Sequence, residues 1–230
     1  MLLEVISNKQ ETHDTRTVRF KLDSPALFKP GQFGMLTLDV IRDGQRKTER
    51  KPYSIASPPG RNYIDITAKK HNPGPFATSL HNLKKGDKVH VEFPFGLFYY
   101  HPELGNNLVL IGAGSGIVPL MSLIQHNTEY NPKTKMHLLY SNKTSKDIVY
   151  QHELEEFAKS NKNLNMHFTL TQEDWYGLNG RIDEKKITGL VPDYKHALFY
   201  VCGPPVFVSE IQKMLLAIGI DKMKIKTERY

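Results

Sequence analysis

Hydrophobic and polar positions follow two different rhythms along this chain, and the change falls a little before its middle. Through the first hundred residues apolar side chains alternate with polar ones over short stretches: Val18, Phe20 and Leu22, then Ile64 and Ile66, then Val89, Val91 and Phe93. A period of two sends successive side chains to opposite faces of an extended backbone, so each stretch predicts a half-buried β-strand. Between them stand Pro30-Gly31, Asp43-Gly44, Pro58-Pro59-Gly60 and Gly86-Asp87, residue pairs that turns require. Short strands at this spacing predict an antiparallel β-barrel. One short helix near Pro75–Leu83 interrupts it.

Beyond about residue 106 the rhythm changes. Leu108–Ile111 is continuously apolar, as in a strand covered on both faces of a parallel sheet. A helical pattern over Ile117–His126 follows, then strand Met136–Tyr140, helix Ile148–Ala158 and strand Met166–Leu170. Strand Ala197–Val201, helix Pro205–Ile218 and strand Lys224–Thr227 complete the series. Strands alternating with helices predict an α/β doubly wound parallel sheet. The polar, turn-rich seam at His101–Asn107 divides the chain into residues 1–101 and 102–230.

Composition narrows the function classes. A chain of 230 residues holds one large domain or two modest ones. The net charge of +7, from 31 basic and 24 acidic residues, favours acidic partners. The charges are scattered, with no run of five or six of one sign, so nucleic acid is not expected as a partner. Cys202 is the single cysteine, which excludes an internal disulfide and a thiolate-ligated iron–sulfur cluster within the chain. The ten histidines show no metal-ligand spacing, so no metal is expected. MLLEVISNKQ carries an acid at Glu4 and is no secretory signal. No apolar run of bilayer-spanning length occurs, and a cytoplasmic location is expected. Oligomeric state is left open.

Two segments carry the chemistry. Gly112, Gly114 and Gly116 in GAGSGIVP follow a strand and open a helix. There a backbone without Cβ atoms can approach a pyrophosphate, and the free N–H groups of the helix start can bind it. A tight strand–helix turn of any α/β protein reads the same way, and the spacing is not GxGxxG. The second segment, KPYSIAS at Lys51–Ser57, sets a cation, a phenol and a hydroxyl within four residues. Such a set suits a flavin; the alternative is an edge strand beside a proline. Cys202-Gly203-Pro204-Pro205 sits where a strand of the sheet ends, the side on which open α/β sheets bind ligands, although a lone cysteine is more often inert core. Tyr230 follows the last predicted strand, and a terminal residue is usually frayed.

In order, the chain carries PGQF at Pro30–Phe33, KPYSIAS, GPFATSL at Gly74–Leu80, KKGDKVHVEFPFGLF at Lys84–Phe98, the glycine turn, CGPP and a closing Glu-x-Tyr. In this order of landmarks, along nearly its whole length, the chain resembles the ferredoxin–NADP reductase superfamily. The resemblance implies a six-stranded flavin-binding barrel followed by a nicotinamide-nucleotide domain, with FAD rather than FMN, and NADP or NAD. It implies that Tyr53 lies against the flavin and Ser54 beside its hydride-accepting nitrogen. Arg50, Lys51, Pro52, Thr67, Lys69, Gly74, Pro75, Phe76, Ala77 and Thr78 belong to the implied flavin side. Pro94, Gly96 and Phe98 match a turn beside the flavin. Gly112, Gly114, Ser115, Gly116 and Pro119 are implied to hold the nicotinamide nucleotide, with Ser141, Lys143, Gly203 and Pro204 around it. Cys202, Glu228 and Ser54 form the implied catalytic set, and Tyr230 matches the aromatic residue that covers the flavin. Lys51 stands where the family carries arginine, and Ala77 where it carries serine or threonine.

The activity so implied is a flavin-dependent NAD(P)H oxidoreductase that passes electrons to a ferredoxin or flavodoxin. A reductase component of an oxygenase or hydrogenase-type assembly is the alternative. A non-catalytic nucleotide-binding module is the reading from another class.

Overall fold

The computed structural model describes residues 1–70 and 74–230. Strands β1 (Leu2–Thr12), β2 (Thr15–Lys21), β3 (Phe33–Arg42), β4 (Gln45–Ser54), β5 (Tyr63–Lys69) and β6 (Lys88–Phe95) form an antiparallel sheet in the order β4-β3-β6-β1-β2-β5. Ile55, just past β4, bridges to Ile66 of β5 and draws the two edges together into a barrel. Val18, Phe20, Ile64, Ile66, Val89 and Val91 fill its interior, as their alternation predicts. Helix α1 (Pro75–Asn82) adds Phe76 and Leu80 to the same core. Each such side chain, once buried, contributes about 1.5–3 kcal/mol.

Periodicity alone does not reveal β4. Its sequence, QRKTERKPYS, has no apolar alternation, and the strand is mostly exposed. It is extended because it pairs with β3 in unbroken register from Phe33 opposite Ser54 to Arg42 opposite Gln45. Asp43 and Gly44 turn the hairpin with φ of 54° and 73°, the left-handed pair that a two-residue β-turn demands. This hairpin delivers Tyr53 and Ser54 to the mouth of the barrel.

The second half contains β7 (Asn107–Ala113), α2 (Ile117–Tyr130), β8 (Lys135–Asn142), α3 (Gln151–Ser160) and β9 (Leu164–Leu170). It continues through β10 (Leu178–Asn179), α4 (Glu184–Leu190), β11 (Leu198–Gly203), α5 (Pro205–Ala217) and β12 (Ile225–Arg229). These strands form a parallel sheet in the order β10-β9-β8-β7-β11-β12. Leu108, Leu110, Leu138, Tyr140 and Tyr200 pack with α2 and α3 on one face. Val109, Ile111, Leu139, Phe199 and Val201 pack with α4 and α5 on the other. Burial on both faces explains the unbroken apolar runs. The order reverses between β7 and β11, and such a reversal opens a ligand crevice at the carboxyl ends of the strands.

Three elements depart from expectation. Helix α3 begins at Gln151 rather than Ile148, because Tyr150 takes φ 61° and cannot continue a right-handed helix. Strand β10, of 2 residues, and helix α4, of 7, are too short to show a period. Among the described residues no helix is long and apolar enough to cross a membrane.

The two halves are joined by buried polar and aromatic contacts. Ser122 Oγ donates to the Ser57 carbonyl at 2.8 Å, Gln125 Nε2 to the Ala56 carbonyl at 3.0 Å, and the Tyr200 hydroxyl to the Tyr99 carbonyl at 3.1 Å. The Phe98 ring meets Tyr200 edge-on, with centroids 5.4 Å apart.

Candidate functional site

On the barrel side, alternation along β4 puts Lys51 and Tyr53 on one face and Arg50 and Ser54 on the other. The Tyr53 ring stacks on Phe76 of α1 with centroids 5.6 Å apart and planes 18° from parallel, and burial pushes its phenol up to about 12. Lys51 Nζ lies 5.7 Å from the same Phe76 ring and 3.5 Å from Glu49. It is thus brought to the opening turn of α1, which starts at Gly74 with Pro75 first, has no side-chain cap and has no acidic residue in its first turn. Ala77 and Thr78 are half-buried there. Arg50 is not brought to that turn: it faces away and pairs with Glu92 at 2.7 Å. Pro52 is exposed.

On the sheet side, Gly114–Gly116 forms one 3₁₀ turn between β7 and α2. Gly114 has φ 54°, a conformation that a residue with a Cβ rarely adopts. A Cβ on Gly116 would lie 2.1 Å from the Cys202 carbonyl oxygen. That glycine is therefore required by the approach of the turn to β11, whatever it binds. Pro119 is buried within α2, not on the crevice wall. The Tyr140 hydroxyl donates to the Gly114 carbonyl at 2.8 Å. Tyr230 is held, not frayed: its hydroxyl donates to the Ala113 carbonyl at 2.6 Å and accepts from the Gly116 N–H at 3.1 Å. Its phenol hydroxyl rests on the glycine turn.

The crevice beside this turn has a volume of about 580 Å³. Ala113, Gly114, Ser141, Lys143, Pro204 and Tyr230 line it, together with Lys69 from the barrel. His13, Asp14, Lys70, Asn142 and Asp147 also line it. Sequence reasoning missed His13, Asp14, Lys70 and Asp147, and Thr171 beside them, since they come from turns and strand ends with no local motif.

Cys202 lies between Gly112 and Glu228 in the register of β7, β11 and β12. Its thiol is buried and pushed well up, first by burial and then by the neighbouring Glu228 charge. Glu228 Oε2 accepts from Ser54 Oγ at 3.2 Å, joining the parallel sheet to the barrel at the mouth between them. Burial pushes the Glu228 carboxyl up to about 7, against the Ser54 hydrogen bond that lowers it.

Three other expected site residues have partners within the protein. Thr67 Oγ1 is buried and shared between Thr17 and Tyr150. Lys69 Nζ lies between Asp14 at 3.3 Å and Asp147 at 3.5 Å. Phe98 is buried against Tyr200, while Gly96 and exposed Leu97 form the outer part of its turn.

The residues present fit both cofactors. Lys51 beside an uncapped helix start suits a pyrophosphate, and the Gly116 N–H is a donor satisfied by the Tyr230 phenol that lines the crevice.

Comparison with known proteins agrees. The oxidoreductase FAD-binding domain model matches residues 2–100, and the oxidoreductase NAD-binding domain model matches residues 110–213. A glycine betaine monooxygenase reductase subunit of Pseudomonas aeruginosa is 31% identical over 237 residues, covering 100% of this chain and 64% of the relative. The chain thus spans a little under two thirds of that protein. An NADH-cytochrome b5 reductase 2 of Yarrowia lipolytica is 32% identical over 218 residues, covering 91% of this chain and 74% of the relative. The fold is shared with the FAD/NAD-binding domain of a nitric oxide dioxygenase from Vibrio cholerae, at TM-score 0.90 and 24% identity over 100% of this chain and 98% of that one. It is shared too with a ferredoxin NADP⁺ reductase from Neisseria gonorrhoeae, at TM-score 0.82 and 20% identity, covering 100% and 98%. The chain belongs to the ferredoxin–NADP reductase superfamily, with an oxidoreductase FAD-binding domain followed by an oxidoreductase NAD-binding domain.

Proposed function

We propose that this chain takes electrons from NAD(P)H and delivers them, through FAD, to a separate redox protein. The observation that carries the reading is the Ser54–Glu228 hydrogen bond, which brings a barrel residue and a sheet residue together where the two cofactor seats face each other. When bound, FAD supplies the exchange between two-electron hydride transfer and one-electron delivery.

The chain's own residues position and shield. Residues 1–101 make the flavin side, where Lys51 and the first-turn N–H groups of α1 hold the flavin pyrophosphate and Tyr53 covers the ring system. Residues 102–230 make the nucleotide side, where Gly112, Gly114, Ser115 and Gly116 receive the nucleotide pyrophosphate. Ser54, Cys202 and Glu228 flank the reacting rings and keep bulk water from them. None of the three has to move a proton for a hydride to pass. Lysine at position 51 gives a point charge in place of a planar fork, so flavin anchoring leans more on the helix N–H groups.

At the carboxyl end of β8, Ser141-Asn142-Lys143 offers a hydroxyl and a cation and no carboxylate. That favours NADPH, whereas the cytochrome b5 reductase relatives carry NADH in their names.

The acceptor we propose is a ferredoxin or flavodoxin with an acidic docking face. Exposed Leu97 lies in the turn after β6, and Lys29 and Lys226 converge on the Tyr99 ring at 4.3 Å and 5.6 Å. A second reading, the reductase part of an oxygenase, draws support from the glycine betaine monooxygenase reductase subunit that matches 100% of this chain.

The test is the visible spectrum of the protein with FAD, titrated without oxygen by NADPH and separately by NADH. Bleaching by either supports the reading, and the ratio of rates sets the coenzyme. Bound flavin that neither nucleotide bleaches refutes it.

A further inference from the structure

We infer that Tyr150 and Thr67, with Asp147 and Lys69 beside them, form a clasp between the two halves of the molecule that holds the nucleotide-side loop in register with the flavin seat. What the clasp aligns rests on the proposed function; the clasp itself rests on the contacts.

Tyr150 is the first observation. It stands at φ 61°, ψ 25° directly before α3, where glycine or asparagine would sit without strain. Its side chain is nonetheless buried. The strained backbone aims the phenol out of its own domain and into the barrel, where its hydroxyl meets Thr67 Oγ1 on β5. Thr67 in turn shares a 2.8 Å hydrogen bond with Thr17 on β2, and all three residues are buried. Burial also pushes the phenol well above its ordinary range, so the clasp stays neutral at every working pH.

The loop that Tyr150 terminates is the second observation. It leaves β8 through Lys143, on the crevice wall. The Thr144 N–H and hydroxyl both donate to Asp147 Oδ2, at 3.0 Å and 2.8 Å. The other Asp147 oxygen faces Lys69 Nζ of β5 at 3.5 Å. One barrel strand thus grips the loop at two points, through Thr67 and Lys69. That strand is the one leading toward Gly74 and α1.

Other contacts between the halves run through α2, α3, β11 and β12, by way of Ser122, Gln125, Glu129, Glu153, Tyr200 and Glu228. They join the domains but do not touch the Lys143–Tyr150 loop. Strand β5 ties that loop to the flavin side through Thr67 and Lys69. Loss of the Tyr150 hydroxyl lets the backbone leave φ 61° and frees the loop to shift, while the glycine turn still binds nucleotide.

The experiment uses the full chain with FAD, comparing wild type, Tyr150→Phe, Thr67→Val and the double variant. Readouts are hydrogen exchange of the loop amides, FAD affinity, nucleotide affinity, and the limiting rate of flavin bleaching without oxygen. Misplacement of reacting groups by a fraction of an ångström costs up to about 100-fold, so we expect each single variant to slow the limiting rate about tenfold. Loop amides should exchange about tenfold faster, with FAD and nucleotide affinities within about twofold. The double variant should match Thr67→Val alone, because both single changes remove the Tyr150–Thr67 bond and Thr67→Val also removes the one to Thr17. Unchanged loop exchange and rate in both single variants overturn the clasp. So does a slower rate explained by lost FAD affinity in Thr67→Val, which would make Thr67 a flavin ligand. Wild-type protein that neither nucleotide bleaches overturns the proposed function, and the aligning role with it.

Discussion

Replacing Glu228 by glutamine tests how dry the mouth between barrel and sheet is. The carboxyl is pushed from its ordinary 4.5 to about 7, chiefly by burial, with the Ser54 hydroxyl opposing. A carboxyl whose folded pKa lies above its unfolded one binds its proton more tightly in the native state. Its contribution to stability is therefore complete at low pH and is lost as pH rises through the window from about 4.5 to about 7. Each tenfold change in proton affinity corresponds to about 1.4 kcal/mol. Between about pH 5 and about pH 8 the wild-type protein should thus lose about 2–3 kcal/mol from this one group, whereas a neutral glutamine of the same shape loses nothing. Buried His81 and His137 and half-buried His126 and His167, all lowered by burial, destabilise the protein in the opposite direction, towards acid. They are common to both proteins and cancel in the difference. Urea unfolding of wild type and Glu228→Gln at the two pH values supplies that difference directly. A gain for the variant that does not grow with pH would refute the reasoning and mean that the carboxyl is hydrated.

Three further outcomes follow from the same geometry. Tyr230→Phe removes the hydroxyl that occupies the Gly116 N–H, and one such hydrogen bond is worth about 0.5–1.5 kcal/mol. Nucleotide affinity, read by equilibrium titration, should rise by about two- to tenfold. Lys51→Met should weaken FAD binding about ten- to hundredfold, since a charge-assisted contact contributes roughly 1.5–3 kcal/mol, while Arg50→Met, which removes a surface ion pair with Glu92, should change it less than about twofold; equal losses would show that Arg50 shares the phosphate. Gly116→Ala sets a Cβ 2.1 Å from a backbone carbonyl that cannot swing aside, so a destabilisation above about 3 kcal/mol is expected by chemical denaturation.

Several levels of this protein are local and were legible without coordinates. Alternation at Val18, Phe20 and Leu22 requires a strand with one dry face, and the unbroken run at Leu108–Ile111 requires one dry on both. Those two requirements already separate a barrel from a doubly wound sheet. The glycine turn and the KPYS segment were legible for the same reason: their chemistry lies within a few consecutive residues. What needed the tertiary structure is everything that depends on two distant segments meeting. Strand β4 is charged along its length and extended only because β3 pairs with it. Gly116 reads as a phosphate residue, yet its missing Cβ is demanded by the Cys202 carbonyl on another strand. Thr67 and Lys69 read as cofactor residues, and only the fold shows that Tyr150, Asp14 and Asp147 meet them. The pairing of Ser54 with Glu228 spans 174 residues of chain, and no pattern within either segment encodes the other. Periodicity records which face of an element is buried; only the packed fold decides which residue of which element stands on the far side of the gap.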